Sequence, residues 1–166
     1  MTRNAKKILV PYDGSKPSEN AVKQAVELAN DFSGHSEIIL LHVVQEVVLP
    51  PAMFESPRFR SKITGDEITT AGLAKELSLQ MKEAAVKMLS EKRQQIMEKA
   101  QDRVKVRTKV LIGYPSDKIE EYSREENIDL IIIGNVGLSG ASKFKALGSV
   151  SRTVSERAIC PVIIVH

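Results

Sequence analysis

The stretch LIIIGNVGLSGASKFKALGSVSRTVSERAICPVIIV, residues 130–165, decides the fold. It opens on an apolar run at 130–133 and closes on another at 162–165. Strands buried on both faces, as in a parallel sheet covered by helices, read this way. Between the two runs Val150, Val154 and Ala158 recur at i, i+4 and i+8, the spacing of one helix face. Pro161 stops that helix, and Val162 opens the last strand. Strand, helix and parallel strand make one crossover unit, right-handed by rule. Four glycines fall within residues 133–151. Glycine loses more freedom on folding than any other residue. A cluster at this point implies a difficult turn, or a backbone that a ligand must approach closely.

The same pattern extends toward the N-terminus. ILV at 8–10 and IILLHVV at 38–44 are further apolar runs. VKVRTKVLI at 104–112 alternates instead: Val104, Val106, Thr108, Val110 and Ile112 share one face, and Lys105, Arg107 and Lys109 the other. That predicts a half-exposed strand at a sheet edge. After DGS, Ala21, Ala25, Leu28, Ala29 and Phe32 mark a helix capped by Ser15, with Pro17 in its first turn and Gly34 at its end. A long helix is predicted from Leu73 to Gln101, with Leu77, Met81, Ala84, Ala85, Met88, Ile96 and Ala100 as its inward stripe. Its methionines read as core filler. A short helix begins near Pro115 and carries Ile119 and Tyr122. Segment 45–72 has three prolines and no periodicity. A loop of that length is functional or disordered. It leaves the carboxyl end of the second strand, where ligands sit in such folds. Alternating strands and helices over residues 1–166 predict a single domain, a doubly wound α/β sheet with helices on both faces.

Composition narrows the class. The 166 residues are 42% hydrophobic and 27% charged, those of an ordinary globular protein with a real core. One cysteine, Cys160, allows no internal disulfide and fits a reducing, cytoplasmic setting. The N-terminal apolar run is too short for a signal peptide, and no run approaches a membrane span. The net charge of +3 comes from scattered lysines and arginines mixed with acids, and aromatics are only 4%, so nucleic acid is not the expected partner.

Gly134 ends one strand, and Gly148-Ser149 opens the following helix. A helix N-terminus offers free N–H groups and partial positive charge, and so favours phosphate. Ser149 adds a hydroxyl. A flexible surface loop with a Gly-Ser cap is the alternative reading. Asp13 lies just past the first strand. If that strand neighbours the one ending at Gly134, Asp13 faces the glycines where the strand order reverses. An acid there suits the hydroxyls of a ribose; it also suits a cap on the turn into the first helix.

The stretches ILVPYDGSKPSENAV, IILLHVV, GYPSDKI, DLIIIGNVGLSG and LGSVSRTVSERAICPVIIV resemble the universal stress protein family over nearly the whole chain. The nucleotide-binding branch of that family carries G-x2-G-x9-G-[ST] after the fourth strand. Here Gly134 and Gly137 are followed by ten residues before Gly148-Ser149, one more than the pattern, which reads as a one-residue bulge within ASKFKAL. The family often has an arginine between the first two glycines; Asn135 and Val136 stand there, with Lys143 and Lys145 as candidate replacements. The resemblance implies a five-stranded parallel sheet in order 3-2-1-4-5 and an adenine-nucleotide ligand, ATP or AMP. Asp13 would bind the ribose, Val43 would hold the adenine through its backbone, and Pro11 would pack beside the base. Gly134 would lie close to the ribose, and Gly137, Gly148, Ser149 and Val150 would cradle the phosphates. It further implies a stress-response sensor or signalling module, with Mg2+ carried on the phosphates and a homodimer through the C-terminal strand. A further protein partner stays open.

Other classes remain as alternatives. There is no G-x4-G-K-[ST], no dinucleotide fingerprint, no activated nucleophile with a base, and no His/Cys cluster at zinc spacing. His35 is expected in a turn, His42 at a core or pocket rim, and Cys160 in the interior. Slow ATP hydrolysis and a nucleotide-independent interaction module are the remaining readings.

Overall fold

A computed structural model describes residues 5–51, 58–138 and 147–166. Its elements are β1 (Ala5–Pro11), α1 (Lys16–Asp31), β2 (His35–Val44), β3 (Phe59–Arg60), β4 (Glu67–Ile68) and α2 (Thr70–Met97), followed by β5 (Val104–Ile112), α3 (Pro115–Glu125), β6 (Leu130–Gly134), α4 (Ser149–Arg157) and β7 (Val162–Val165). The main sheet is five-stranded and parallel, in order β5-β2-β1-β6-β7. Counting its strands alone, that order is 3-2-1-4-5.

Two apolar clusters sandwich the sheet. Ile8, Val10, Ile38, Leu40 and Ile132 face α1 and α2, where Ala21, Ala25, Leu89 and Ile96 meet them. Leu9, Ile39, Leu41, Ile131 and Ile133 face α3 and α4, where Ile119, Tyr122 and Val154 meet them. Adjacent residues of one strand serve opposite clusters, so the inner strands must be apolar at every position. The alternating run at 104–112 is the edge strand β5, paired to β2 alone. Its alternation holds from Val104 to Val110, with Lys105, Arg107 and Lys109 exposed and Val110 packed on the same cluster as Val104 and Val106. Beyond that, Leu111 packs on the opposite cluster and Ile112 is 42% exposed, so Ile112 does not join the inward face expected for it.

Local chemistry sets the helix ends. Ser15 is the N-cap of α1, its side chain accepting the Ser18 N–H, with proline in the first turn. The long helix starts earlier than its apolar stripe, at Thr70, because the Thr69 hydroxyl caps it by accepting the Gly72 N–H. Its inward stripe also differs from the expected one. Ala85, Leu89 and Ile96 are buried, whereas Ala84 is exposed and Met81 is 45% exposed. Met81 is therefore not core filler; the sheet has ended where it emerges.

Segment 45–72, expected to lack elements, holds the antiparallel ribbon β3–β4, with Phe59 opposite Ile68 and Arg60 opposite Glu67. Two-residue strands are too short to register as periodicity. His35 begins β2 rather than lying in a turn. Cys160 is half-buried, and that burial pushes its thiol pKa up. Among the described residues, no helix is long and apolar enough to cross a membrane.

Candidate functional site

β1 has β2 on one side and β6 on the other, with Ile8 opposite Leu130 and Leu9 opposite Ile131. The chain leaves β1 for α1 on one face of the sheet and leaves β6 for α4 on the other. The two connections part company at the carboxyl ends of these strands, and a crevice opens between them. It is a cavity of about 470 Å3. Pro11, Asp13, Val43, Gly134, Gly137, Gly148, Ser149 and Val150 all line it. The eight residues singled out from the sequence thus share one cavity. Lys143 and Lys145 lie outside the described residues, as does most of ASKFKAL.

Asp13 is the hub of the crevice. Its Oδ1 accepts the Ser15 N–H at 3.0 Å, and its Oδ2 accepts the Leu138 N–H at 3.0 Å. Burial acts to raise its pKa, but hydrogen bonds from Ser15, Leu138 and Ser18 outweigh burial and hold the carboxyl below its ordinary value. An ionised carboxylate has about four acceptor positions. The Ser15 and Leu138 backbone N–H groups take two of them, and the Ser15 and Ser18 side chains also favour the charged form.

Three glycines shape the walls, each by close approach. A Cβ on Gly137 would stand 2.7 Å from Asp13 Oδ2. One on Gly134 would stand 2.7 Å from the Pro17 carbonyl carbon, so the first turn of α1 needs a glycine there whatever binds nearby. One on Gly148 would stand 3.3 Å from the Asn135 carbonyl oxygen. That oxygen accepts the Gly148 N–H at 2.7 Å and the Ser151 hydroxyl at 2.7 Å, which fixes the start of α4 against the end of β6. The first N–H groups of α4 have no partner within the helix. Gly148 is the N-cap and supplies no side-chain bond, and Ser149 is exposed.

Val43 owes its place to β2 outrunning β1. The pairing ends at Pro11 with Leu41, while β2 continues to Val44. The Leu41 carbonyl points toward β1, since it accepts the Tyr12 N–H at 2.8 Å. By two-residue alternation, the peptide groups of Val43 point the same way, into the space past the end of β1. Val44 points to the other side, where its carbonyl accepts the Gly113 N–H. His42 stands at the rim, its Nδ1 2.8 Å from the Tyr12 carbonyl oxygen.

Behind the crevice, Tyr12 donates its hydroxyl to Glu19, which also pairs with Lys92 at 2.8 Å. Burial, then Glu19, drive the Tyr12 phenol pKa well up. The trio ties α1 and α2 to the end of β1. Sequence reading missed it, because Glu19 and Lys92 lie 73 positions apart. It also missed the cavity-lining roles of Met81, Pro115 and Ile119. Met81 and Ile119 read as packing positions of helices and Pro115 as a helix start, and nothing local distinguishes a core wall from a cavity wall.

The fold and crevice define a doubly wound α/β protein with a ligand-sized cleft at its switch point. The Universal stress protein family profile matches residues 4–166, and the chain belongs to that family. Universal stress protein YxiE of Bacillus subtilis is 32% identical over 160 residues, covering 96% of this chain and 98% of that protein. A universal stress protein of Methanocaldococcus jannaschii is 30% identical, covering 96% of this chain and 81% of its own length. Among solved structures, universal stress protein UspA from Lactobacillus plantarum superposes with a TM-score of 0.76 at 23% identity, over 97% of each chain. The universal stress protein from Archaeoglobus fulgidus in complex with dAMP gives 0.61 at 20% identity, over 99% of this chain and 100% of that one. A family member from Arabidopsis thaliana with AMP bound gives 0.54 at 19%, over 96% and 90%.

Proposed function

We propose that the chain binds an adenine nucleotide, ATP or AMP, in the cleft between β1 and β6, and acts as a stress-response sensor or signalling module. The observation that carries this is the position of the Asp13 carboxylate, held ionised across the cleft from the start of α4. Asp13 takes the ribose diol. The Val43 peptide groups take the edge of the base, and Pro11 packs beside it. Gly134 lets the ribose approach. Gly137, Gly148, Ser149 and Val150 surround the phosphates, where α4 contributes free N–H groups and its dipole. Mg2+, if used, arrives on the phosphates of a di- or triphosphate. Volume agrees: ligand cavities run about 300–1,000 Å3, and this one is about 470 Å3. Family members solved with dAMP and AMP bound support the ligand class.

The test is direct. Purified protein is denatured and the released small molecules are identified by mass spectrometry, while a parallel sample is incubated with ATP. Adenine nucleotide released without turnover fits the proposal. Turnover that survives repurification would assign a hydrolase instead.

Pairing with a second copy through β7 belongs to the same reading. β7 lies at the sheet edge, carries no charged side chain, and exposes Ile163 at 37%. An apolar edge of this kind is an invitation to pair.

A further inference from the structure

Met81 stands where the core-facing stripe of α2 runs off the sheet. Met81, Ala85 and Leu89 follow at i, i+4 and i+8, so they share one helix face. Leu89 is 1% exposed, Ala85 4% and Met81 45%. The lengths explain the change. α2 has 28 residues, and β5, on which it packs, has 9. At about 1.5 and 3.3 Å per residue they span roughly 42 and 30 Å, so the helix outruns the strand by roughly two turns. No residue from 71 to 84 is buried. An apolar side chain on the inward stripe is left facing the cleft, which Met81 lines.

The opposite wall comes from the other helical layer. α3 brings Pro115 and Ile119 to the same cavity. Val43 ends the floor between the two walls, its peptide groups turned into the cleft. The space therefore has two apolar sides and a hydrogen-bonding edge, which is the outline of a flat heteroaromatic ring.

We propose that Met81 closes one face of the bound base, opposite Pro115 and Ile119. This inference rests on the nucleotide reading of the cleft, and adds to it a base-contacting residue supplied by α2. Thioether sulfur meets aromatic rings favourably, and an unbranched side chain adapts to the ring without a fixed shape.

The test is calorimetric titration of the full chain with adenosine and with AMP, for wild type, Met81→Ala and Leu79→Ala. Leu79 is 47% exposed on the same overhang and does not line the cleft. Met81→Ala should weaken both ligands by the same factor, about 2- to 10-fold, because the contact is with the base and not the phosphate. Leu79→Ala should leave both affinities unchanged. A second readout needs no variant: bound AMP should slow peroxide oxidation of Met81 to the sulfoxide, but not that of Met97, which is 56% exposed. Unchanged affinity in Met81→Ala, with no protection of Met81, overturns the inference and leaves nucleotide binding standing. An equal loss in Leu79→Ala also overturns it, as a general effect on the helix. A wild-type protein that binds neither ligand overturns the nucleotide reading beneath it.

Discussion

Asp13 and Leu138 lie 125 positions apart and are joined by one hydrogen bond, the Leu138 N–H donating to Asp13 Oδ2 at 3.0 Å. The bond ties the residues just after β6 to the turn after β1. Gly137 permits it, since any Cβ there would stand 2.7 Å from the same oxygen. Gly137→Ala should therefore act on nucleotide affinity through Asp13. Asp13→Ala removes charge-assisted bonds worth roughly 1.5–3 kcal/mol each, so affinity should fall about 10- to 100-fold. In a double-mutant cycle, Gly137→Ala should add little once Asp13 is gone. Additive losses would show that the glycine serves the ligand independently of the carboxylate.

The same carboxylate sets an acid limit. Its pKa is depressed in the folded state, so its contribution to stability is complete above the unfolded value of about 3.9 and is lost as pH falls through the lower folded value. Denaturation midpoints of wild type and Asp13→Asn should differ by a constant amount near neutrality and converge below roughly pH 4. Curves that stay parallel into that range would assign the difference to another group.

Gly134 should behave differently from Gly137. Its missing Cβ makes room for the backbone of Pro17 and Ser18, which cannot swing aside as a side chain can. Gly134→Ala should cost about 1–3 kcal/mol by overpacking, lowering Tm by roughly 3–10 °C. Thermal unfolding by circular dichroism reads this without any ligand, and an unchanged Tm would mean that α1 can move away from β6.

The contrast between these glycines shows what the sequence could and could not carry. The apolar runs at 8–10, 38–44 and 130–133 announce strands because a central parallel strand is buried on both faces and every position must comply. Alternation in the run at 104–112 announces an edge for the converse reason. Asp13, Gly134 and Gly148 could be picked out because turns and phosphate sites demand those residue types, and Gly137 through the family's glycine pattern. The reason for each glycine stayed hidden, since it depends on what packs against it: α1 at Gly134, a carboxylate at Gly137, a carbonyl at Gly148. Met81 was misassigned because the stripe of a helix continues past the end of the sheet it covers. Tyr12, Glu19 and Lys92 form a trio that only the three-dimensional fold assembles.

At the sheet edge, Ile163→Lys places a charge on the exposed residue of β7. If two copies pair there, wild type should sediment as a dimer at micromolar concentration and the variant as a monomer. A wild-type monomer at every concentration would leave β7 to some other cover.

Nucleotide binding in the crevice, as proposed, depends on Asp13 and the start of α4. Calorimetric titration of protein first stripped of any co-purified nucleotide tests it most directly, with AMP, ATP and GMP as ligands and Asp13→Ala as the control. The account predicts saturable binding of at least one adenine nucleotide at one site per chain, weaker binding of GMP, and a loss of about 10- to 100-fold in Asp13→Ala. No saturable binding of AMP or ATP, or equal affinity in Asp13→Ala, would contradict it.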